Sequence, residues 1–284
     1  MTQLIDPKKY TRTVDLLRSF FLDKEFLEVH TQNRLSILAA CEDPTTVATY
    51  EYAGQVWPLP QTGQMWLEYE LLQRPEKGYF CISTSYRQEP DPIEGRHDLI
   101  FPMFEFEFPG DIDDLESMER ELCEYLGFPH ITSKTYREWK EHYREDGELE
   151  AEHEQMMEDD FGPCMIKHFP EFTSPFWNMS RFDDGFPHYK DSKKIDVILG
   201  GMETIGSAER STDPDEMEEA FNTISDGMYA NLLFSKFGKA RVQEELDDFL
   251  GLDFFPRVGG GIGLTRMISA LTNKKTKVGE LHPW

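Results

Sequence analysis

The stretch GYFCISTSYRQEPDPIEGRHDLIFPMFEFEF, residues 78–108, decides the fold. Its opening part, 78–85, is a short apolar and hydroxyl-rich run that reads as a strand. Its closing part, 100–108, alternates, with Phe104, Phe106 and Phe108 on one face and Glu105 and Glu107 on the other. A period of two residues is that of a strand. Residues 87–98 between them are rich in proline, glycine and charge, and read as a loop. Strand, charged loop, strand predicts an antiparallel hairpin. It carries Arg87 at the end of its first strand, Arg96 and His97 in the loop, and Glu105 and Glu107 on the return. Such a hairpin lets a strand-end arginine meet a phosphate or carboxylate in bidentate fashion while carboxylates on the returning strand face a cation. Taken alone, a salt-bridged hairpin accounts for the same residues.

Working outward, Asp6-Pro7 reads as an N-cap followed by proline at the first helical position. Val14, Leu17, Phe20 and Phe21 then recur at helical spacing, and residues 26–29 leave that helix as a strand. Residues 38–50 read as a loop, 55–59 as a short strand and 63–72 as a helix. Downstream, 114–126 and 136–160 read as helices. The second is very acidic, with ELEAEHE at 148–154 and Glu158-Asp159-Asp160. A solvated helical face accounts for that run, with metal binding as the alternative. Residues 194–199 and 202–208 read as strands joined at Gly200-Gly201. Asp213-Pro214 opens a helix, and 241–250 is helical and amphipathic. The glycines at 259–263 break the pattern before a last helix around 266–271. One α+β domain spanning 1–284, a mostly antiparallel sheet flanked by helices, is the simplest account.

Composition narrows the function classes. The chain has 284 residues, 39% of them hydrophobic, with 21 Phe and 5 Trp to fill a core. It carries 54 Asp+Glu against 29 Lys+Arg, a net charge of −25. A protein that grips nucleic acid needs basic stripes to displace counterions. Here Lys193-Lys194 and Lys274-Lys275 are the densest clusters, which argues against tRNA or DNA as a partner. Cys41, Cys81, Cys123 and Cys164 form no C-x-x-C pair, so reduced, buried thiols are expected rather than a zinc site. No apolar run reaches the roughly 20 residues of a membrane span, and the N-terminus lacks a signal-peptide pattern. A cytoplasmic protein is expected.

Two further segments bear on chemistry. Residues 259–266, GGGIGLTR, let a backbone approach a ligand and set Arg266 just inside a helix, without the Gly-Lys-Ser/Thr ending of a Walker loop. A structural turn accounts for the glycines alone. Asp196 and Glu203 flank the Gly200-Gly201 turn and could converge on one Mg²⁺, which favours a few carboxylates plus phosphate oxygens. Each alone reads as a surface acid.

Taken in order, these segments resemble the catalytic domain of class II aminoacyl-tRNA synthetases, in the aspartyl/asparaginyl branch. The family's second motif resembles residues 86–89 through Arg96-His97 to 101–107, and its third resembles 259–266. The turn at 59–64 resembles the amino-acid-binding turn, 26–29 the end of the first motif, and 201–210 the metal and side-chain recognition strand. The resemblance runs from about residue 7 onward and implies an ATP site. In it Arg87 holds the α-phosphate and the reacting carboxylate, Glu89 and His97 serve the nucleotide, and Phe101 stacks on adenine. Arg266 holds the γ-phosphate and covers adenine's other face, with Glu203 and Gly263 completing the set. It further implies Asp196 and Glu203 as Mg²⁺ ligands, Gln64 and Glu105 on the substrate ammonium, and Glu68 and Arg210 in the substrate pocket. Arg87 and Arg266 would be the catalytic pair, absorbing charge on phosphate while positioning does the rest.

The departures matter. Leu67 stands where aspartyl enzymes carry lysine, and the Glu68 that follows is closer to the asparaginyl pattern. Gln32 replaces the first motif's proline, and Arg257 replaces a histidine before the third, an added cation near the site that could join Arg210 in orienting a substrate aspartate. No segment resembles the family's anticodon-binding barrel. A synthetase core of this kind resembles the archaeal-type asparagine synthetase related to asparaginyl-tRNA synthetase. That resemblance implies a homodimer that forms an adenylate on aspartate and lets ammonia displace AMP. The other readings are a ligase using another amine, a tRNA-charging synthetase, and a non-catalytic regulatory paralogue.

Overall fold

The computed structural model describes residues 4–32, 35–37, 44–92, 98–173, 175–182 and 190–273. His97, Cys41 and the Lys274-Lys275 pair lie outside them. In chain order the elements are α1 (Pro7–Asp23), β1 (Leu27–Glu28), β2 (Thr49–Tyr52), β3 (Gln55–Pro58), α2 (Gln64–Gln73), β4 (Tyr79–Tyr86), β5 (Ile100–Pro109), α3 (Ile112–Tyr125), β6 (Thr132–Thr135), α4 (Tyr136–Tyr143), α5 (Ala151–Phe161), β7 (Cys164–Pro170), β8 (Asp191–Leu199), β9 (Met202–Glu209), α6 (Pro214–Thr223), α7 (Met228–Phe237), α8 (Lys239–Leu250), β10 (Arg257–Gly263) and α9 (Leu264–Asn273). The organising unit is an eight-stranded sheet in the order β1-β4-β5-β10-β9-β8-β7-β6, with β2 and β3 pairing separately. The end pairs β1/β4 and β6/β7 are parallel, and the inner pairs are antiparallel.

The hairpin at 78–108 is the predicted one, with Phe80 opposite Phe106 and Cys81 opposite Glu105. Its alternation does not separate core from solvent, because Phe104, Phe106, Glu105 and Glu107 are all fully buried. The phenylalanine face joins Leu17 and Phe21 of α1, Leu115 and Leu122 of α3, and Leu264 and Met267 of α9 in one apolar core. The glutamate face carries the polar cleft. A second apolar cluster, built from α6, α7, α8 and Trp177, supports the region beside the cleft.

Local rules explain several element ends. Asp6 caps α1 by accepting from the backbone N–H of Lys8 and Lys9, with Pro7 at the first position. Gly200 and Gly201 take φ of +63° and +77°, which lets β8 turn tightly into β9.

Two expectations need correction. The acidic region at 136–160 is two helices, not one: Arg144 ends α4 in a left-handed conformation, and α5 begins at Ala151. The glycines at 259–263 do not break the pattern but form β10, a central strand between β5 and β9. Glycine weakens an isolated strand, yet here neighbouring side chains fill the missing volume. A Cβ at Gly259 would collide with Glu107 Oε2 and the Phe106 carbonyl, and one at Gly260 would lie 2.6 Å from the Gly206 carbonyl. The strands β6 and β7 and the helix α7 were not anticipated.

Candidate active site

Register sets the floor of the site. Cys81, Glu105, Gly261, Gly206 and Asp196 stand opposite one another on the adjacent strands β4, β5, β10, β9 and β8. They therefore share one face of the sheet, with two glycines at the centre of the row. Over this floor opens a cleft of about 990 Å³, its solvent-filled mouth included. Of the residues singled out in the sequence, Gln64, Arg87, Glu89, Phe101, Glu105, Glu203, Arg210, Gly263 and Arg266 line it.

Arg87 follows β4 directly, and its backbone N–H donates to the Leu99 carbonyl at 2.8 Å, which closes the hairpin. Its guanidinium lies 3.7 Å from Glu89 Oε1 and 5.4 Å from the centre of the Phe101 ring. Arg87 Nε is buried without a hydrogen-bond partner among the described residues. A buried donor left unpaired costs about 1–3 kcal/mol, so this arginine is held ready for an acceptor. Arg266 enters from the first turn of α9 and donates from Nη1 to the Glu203 carbonyl at 2.6 Å.

A shift in register between Val197 and Ile198 puts a bulge at the start of β9. Bulges re-aim side chains, and this one brings Glu203 round to the face of Gly206. Glu203 Oε1 and Asp196 Oδ1 both approach the spot where a Cβ at Gly206 would stand, at 2.7 and 3.6 Å from it. Asp196 Oδ2 accepts from Lys194 Nζ at 2.7 Å, while its buried Oδ1 has no hydrogen-bond partner among the described residues. Burial pushes the Asp196 carboxyl above the usual range, against the pull of Lys194, and Glu203 adds to the rise. An orphaned carboxylate oxygen beside a second carboxylate fits a divalent cation.

The acidic helix α5 contributes to this corner. Glu154 Oε2 accepts from the Glu203 N–H at 3.0 Å, and Glu158 Oε2 accepts from the Gly200 N–H at 3.0 Å. Glu152, Asp159 and Asp160 of the same helix are exposed, so the solvated-face reading describes its outer side. The contact of its inner side with the β8–β9 turn was not legible, because hydrogen bonds to a distant backbone leave no local pattern.

Glu105 lies at the wall of the cleft with its carboxylate already engaged. It accepts from the Gly63 N–H at 2.8 and 2.9 Å and from the hydroxyls of Thr62 and Ser83. Gly63, the N-cap of α2, has no side chain with which to cap; Glu105 supplies the acceptor from the sheet. Burial raises its pKa, and these hydrogen bonds oppose the rise. Gln64, one residue on, donates its amide to Glu107 and to the Phe106 carbonyl.

Glu68 stands behind this wall rather than in it. One turn beyond Gln64 on the same face of α2, it is fully buried. Arg257 Nε and Nη2 donate to its Oε2 at 3.1 and 2.7 Å. Arg257 is itself completely buried, which corrects its reading as a cation facing the substrate. Arg210 links this layer to the cleft, donating from Nε and Nη2 to the two oxygens of Glu107 at 3.3 Å each. Leu67 does not line the cleft but is buried in an apolar cluster with Leu71, Tyr79 and Cys81. Among the described residues no group of three or more His, Cys, Asp or Glu is placed to hold a metal. No helix there is long and apolar enough to cross a membrane.

Solved structures provide the comparison. The asparaginyl-tRNA synthetase from Pyrococcus horikoshii, complexed with asparaginyl-adenylate, superposes with a TM-score of 0.76 at 19% identity over 94% of this chain and 64% of that one. The asparaginyl-tRNA synthetase of Entamoeba histolytica gives 0.72 at 18% over 94% and 64%, and the aspartyl enzyme of the same organism 0.66 at 18% over 94% and 55%. The chain thus spans under two thirds of the length of these proteins, and at such identities the likeness shows the fold. Comparison with curated proteins finds no match. A family model described as tRNA synthetases class II (D, K and N) matches residues 8–278. Covering nearly the whole chain, that match establishes that the protein belongs to this class II synthetase family.

Proposed function

We propose that the chain activates an amino-acid carboxylate with ATP and passes the acyl group to a small amine, most simply converting aspartate and ammonia to asparagine. The observation that carries the reading is the convergence of Arg87, Arg266 and Glu203 on one cleft floored by glycines. In activation a carboxylate oxygen attacks the α-phosphorus, the bond to pyrophosphate breaks, and an acyl-adenylate forms with no proton to move. The amine then attacks the acyl carbon, AMP leaves, and the amine gives up a proton. Arg87, whose Nε has no partner among the described residues, is suited to the α-phosphate and the incoming carboxylate. Arg266 is suited to the terminal phosphate, with Phe101 and the glycine floor flanking the base. Preorganised cations of this kind stabilise charge that develops in the transition state.

The donor set of Asp196 Oδ1 and Glu203 fits Mg²⁺, which when bound would offset charge on the phosphates. Gln64 and Glu105 are assigned to the substrate ammonium. For Glu105 this role adds to its capping of α2. The acidic balance of the chain favours a small acceptor over a polyanion. Charging of tRNA is the second reading, favoured by family membership. The reading extends to a homodimer in the cytoplasm.

The test is to incubate the protein with ATP, Mg²⁺ and each amino acid, with ammonia, with tRNA, or with neither, and to identify products by mass spectrometry. AMP, pyrophosphate and asparagine arising with aspartate and ammonia support the lead. Aminoacyl-tRNA without ammonia-dependent amide would replace it with the second reading. Absence of amino-acid-dependent pyrophosphate in every arm would remove both.

A further inference from the structure

We propose that Arg257 is a positioning residue that sets the substrate class: by binding Glu68 it keeps that carboxylate off Arg210, so the cleft prefers an amino acid with a second carboxylate to its carboxamide. This rests on the adenylation reading and names the substrate class of that site.

Four charged side chains meet behind the cleft, and their pairing is unequal. Glu68 takes Arg257 at 2.7 Å and stands 3.8 Å from Arg210 Nε. Its other oxygen accepts from Asn178 Nδ2 at 2.7 Å. Both Glu68 oxygens are thus engaged from behind. Arg257 is locked in turn: Nη1 donates to the Ser211 carbonyl at 3.1 Å, and its guanidinium lies 4.9 Å from the centre of the Phe254 ring. A planar fork with several donors suits this arrangement better than a lysine ammonium. Arg210 reaches Glu107 at 3.3 Å, longer than a tight charge-assisted contact, and lines the cleft.

The consequence is electrostatic. With Arg257 in place Glu68 is neutralised, and a carboxylate arriving beside Arg210 meets no unbalanced negative charge from that side. Without Arg257, a buried Glu68 would have Arg210 as its next cation and would turn onto it. Glu68 would then repel a substrate carboxylate and offer an acceptor to the N–H groups of a carboxamide. In an aspartate bound for activation, one carboxylate reacts and the other occupies the position beside Arg210.

The experiment measures ATP–pyrophosphate exchange with aspartate and with asparagine on the full chain. The variants are Arg257→Met, Arg257→Lys, Glu68→Gln and the double variant Glu68→Gln/Arg257→Met, with thermal melts to confirm folding. The wild type is expected to show the lower KM for aspartate. Arg257→Met should raise the aspartate KM about tenfold or more with asparagine unchanged or improved, and Arg257→Lys should fall between. The double variant should restore the aspartate preference, because residue 68 no longer carries a charge to turn onto Arg210 and the Arg210–Glu107 pair is unchanged. If Arg257→Met fails to fold, Glu68→Gln and Arg257→Lys carry the test, the first sharpening the preference and the second weakening it. An unchanged aspartate-to-asparagine ratio across the folded variants overturns this inference alone, whereas a wild type that prefers asparagine overturns it together with the aspartate-to-asparagine reading. Exchange with neither amino acid by the wild type overturns the choice of aspartate in the proposed function and this inference with it, and exchange with none of the amino acids overturns the adenylation reading.

Discussion

Arg266 donates from Nη1 to the carbonyl oxygen of Glu203 at 2.6 Å. The N–H of the same residue donates to Glu154 at 3.0 Å. The bulged backbone at Glu203 is therefore held from both sides, by α9 and by α5, and its side chain is aimed over Gly206. Under the proposed function, Glu154→Ala releases one hold and should raise the Mg²⁺ concentration for half-maximal exchange about tenfold, with kcat at saturating Mg²⁺ falling less. Glu154→Gln keeps an acceptor and should stay near wild type. Titration of exchange with Mg²⁺, alongside calorimetric binding of the metal to the ATP complex, checks this; equal Mg²⁺ dependence in all three proteins would show that α5 does not position Glu203.

Arg87 should separate activity from stability. Its side chain is one third exposed and its partner Glu89 lies 3.7 Å away, an ion pair of the kind that contributes about 0–1 kcal/mol. Arg87→Ala should therefore leave the melting temperature within a few degrees while pyrophosphate exchange falls on the order of 10²–10³-fold, the usual loss of a preorganised transition-state donor. Arg87→Lys keeps the charge without the fork and should recover only part. Exchange at wild-type rate in Arg87→Ala would remove this residue from the mechanism.

The glycines of β10 divide into structural and ligand-facing positions. A Cβ at Gly259 meets a backbone carbonyl and a buried carboxylate, whereas at Gly263 its nearest neighbours are Arg266 side-chain atoms at 3.8 Å or more. Gly259→Ala should destabilise the fold by about 1–3 kcal/mol or more, as overpacking does. Gly263→Ala should fold normally and show its effect in the KM for ATP. Urea unfolding and ATP titration distinguish the two, and a Gly259→Ala protein as stable as wild type would contradict the packing described.

Much of this was legible from residue order. Phenylalanine and glutamate alternate from Phe104 to Phe108, so the strand and its two faces followed from spacing. Pro7 and Asp6 marked a helix start by local chemistry alone. The glycines of β10 misled because the volume that excludes a Cβ belongs to Glu107 and Ser207, far away in sequence. Arg257 and Glu68 misled for a related reason. Each is a charged residue near the site in sequence order, and only their 2.7 Å contact shows that they cancel each other behind the cleft. Glu105 looked free to bind a ligand until the bare N-terminus of α2 was seen to rest on it.

Glu119 gives the fold a pH dependence apart from catalysis. Its carboxyl is fully buried and is pushed up to about 8 by that burial, with the nearby carboxylates of Asp196 and Glu116 adding to the rise. Unfolded, it titrates near 4.5. Between those values the folded chain holds a proton that the unfolded chain has released, so the unfolded state binds fewer protons and stability falls as pH rises. The contribution is present in full below pH 4.5 and is lost as pH rises through 8. At about 1.4 kcal/mol per unit the total is on the order of a few kcal/mol. Glu119→Gln keeps the shape without the titration. Its melting temperature should match wild type at pH 5 and exceed it by several degrees at pH 8.5. Parallel melting curves at both pH values would mean that Glu119 is ionised in the fold and paired with a group that supports its charge.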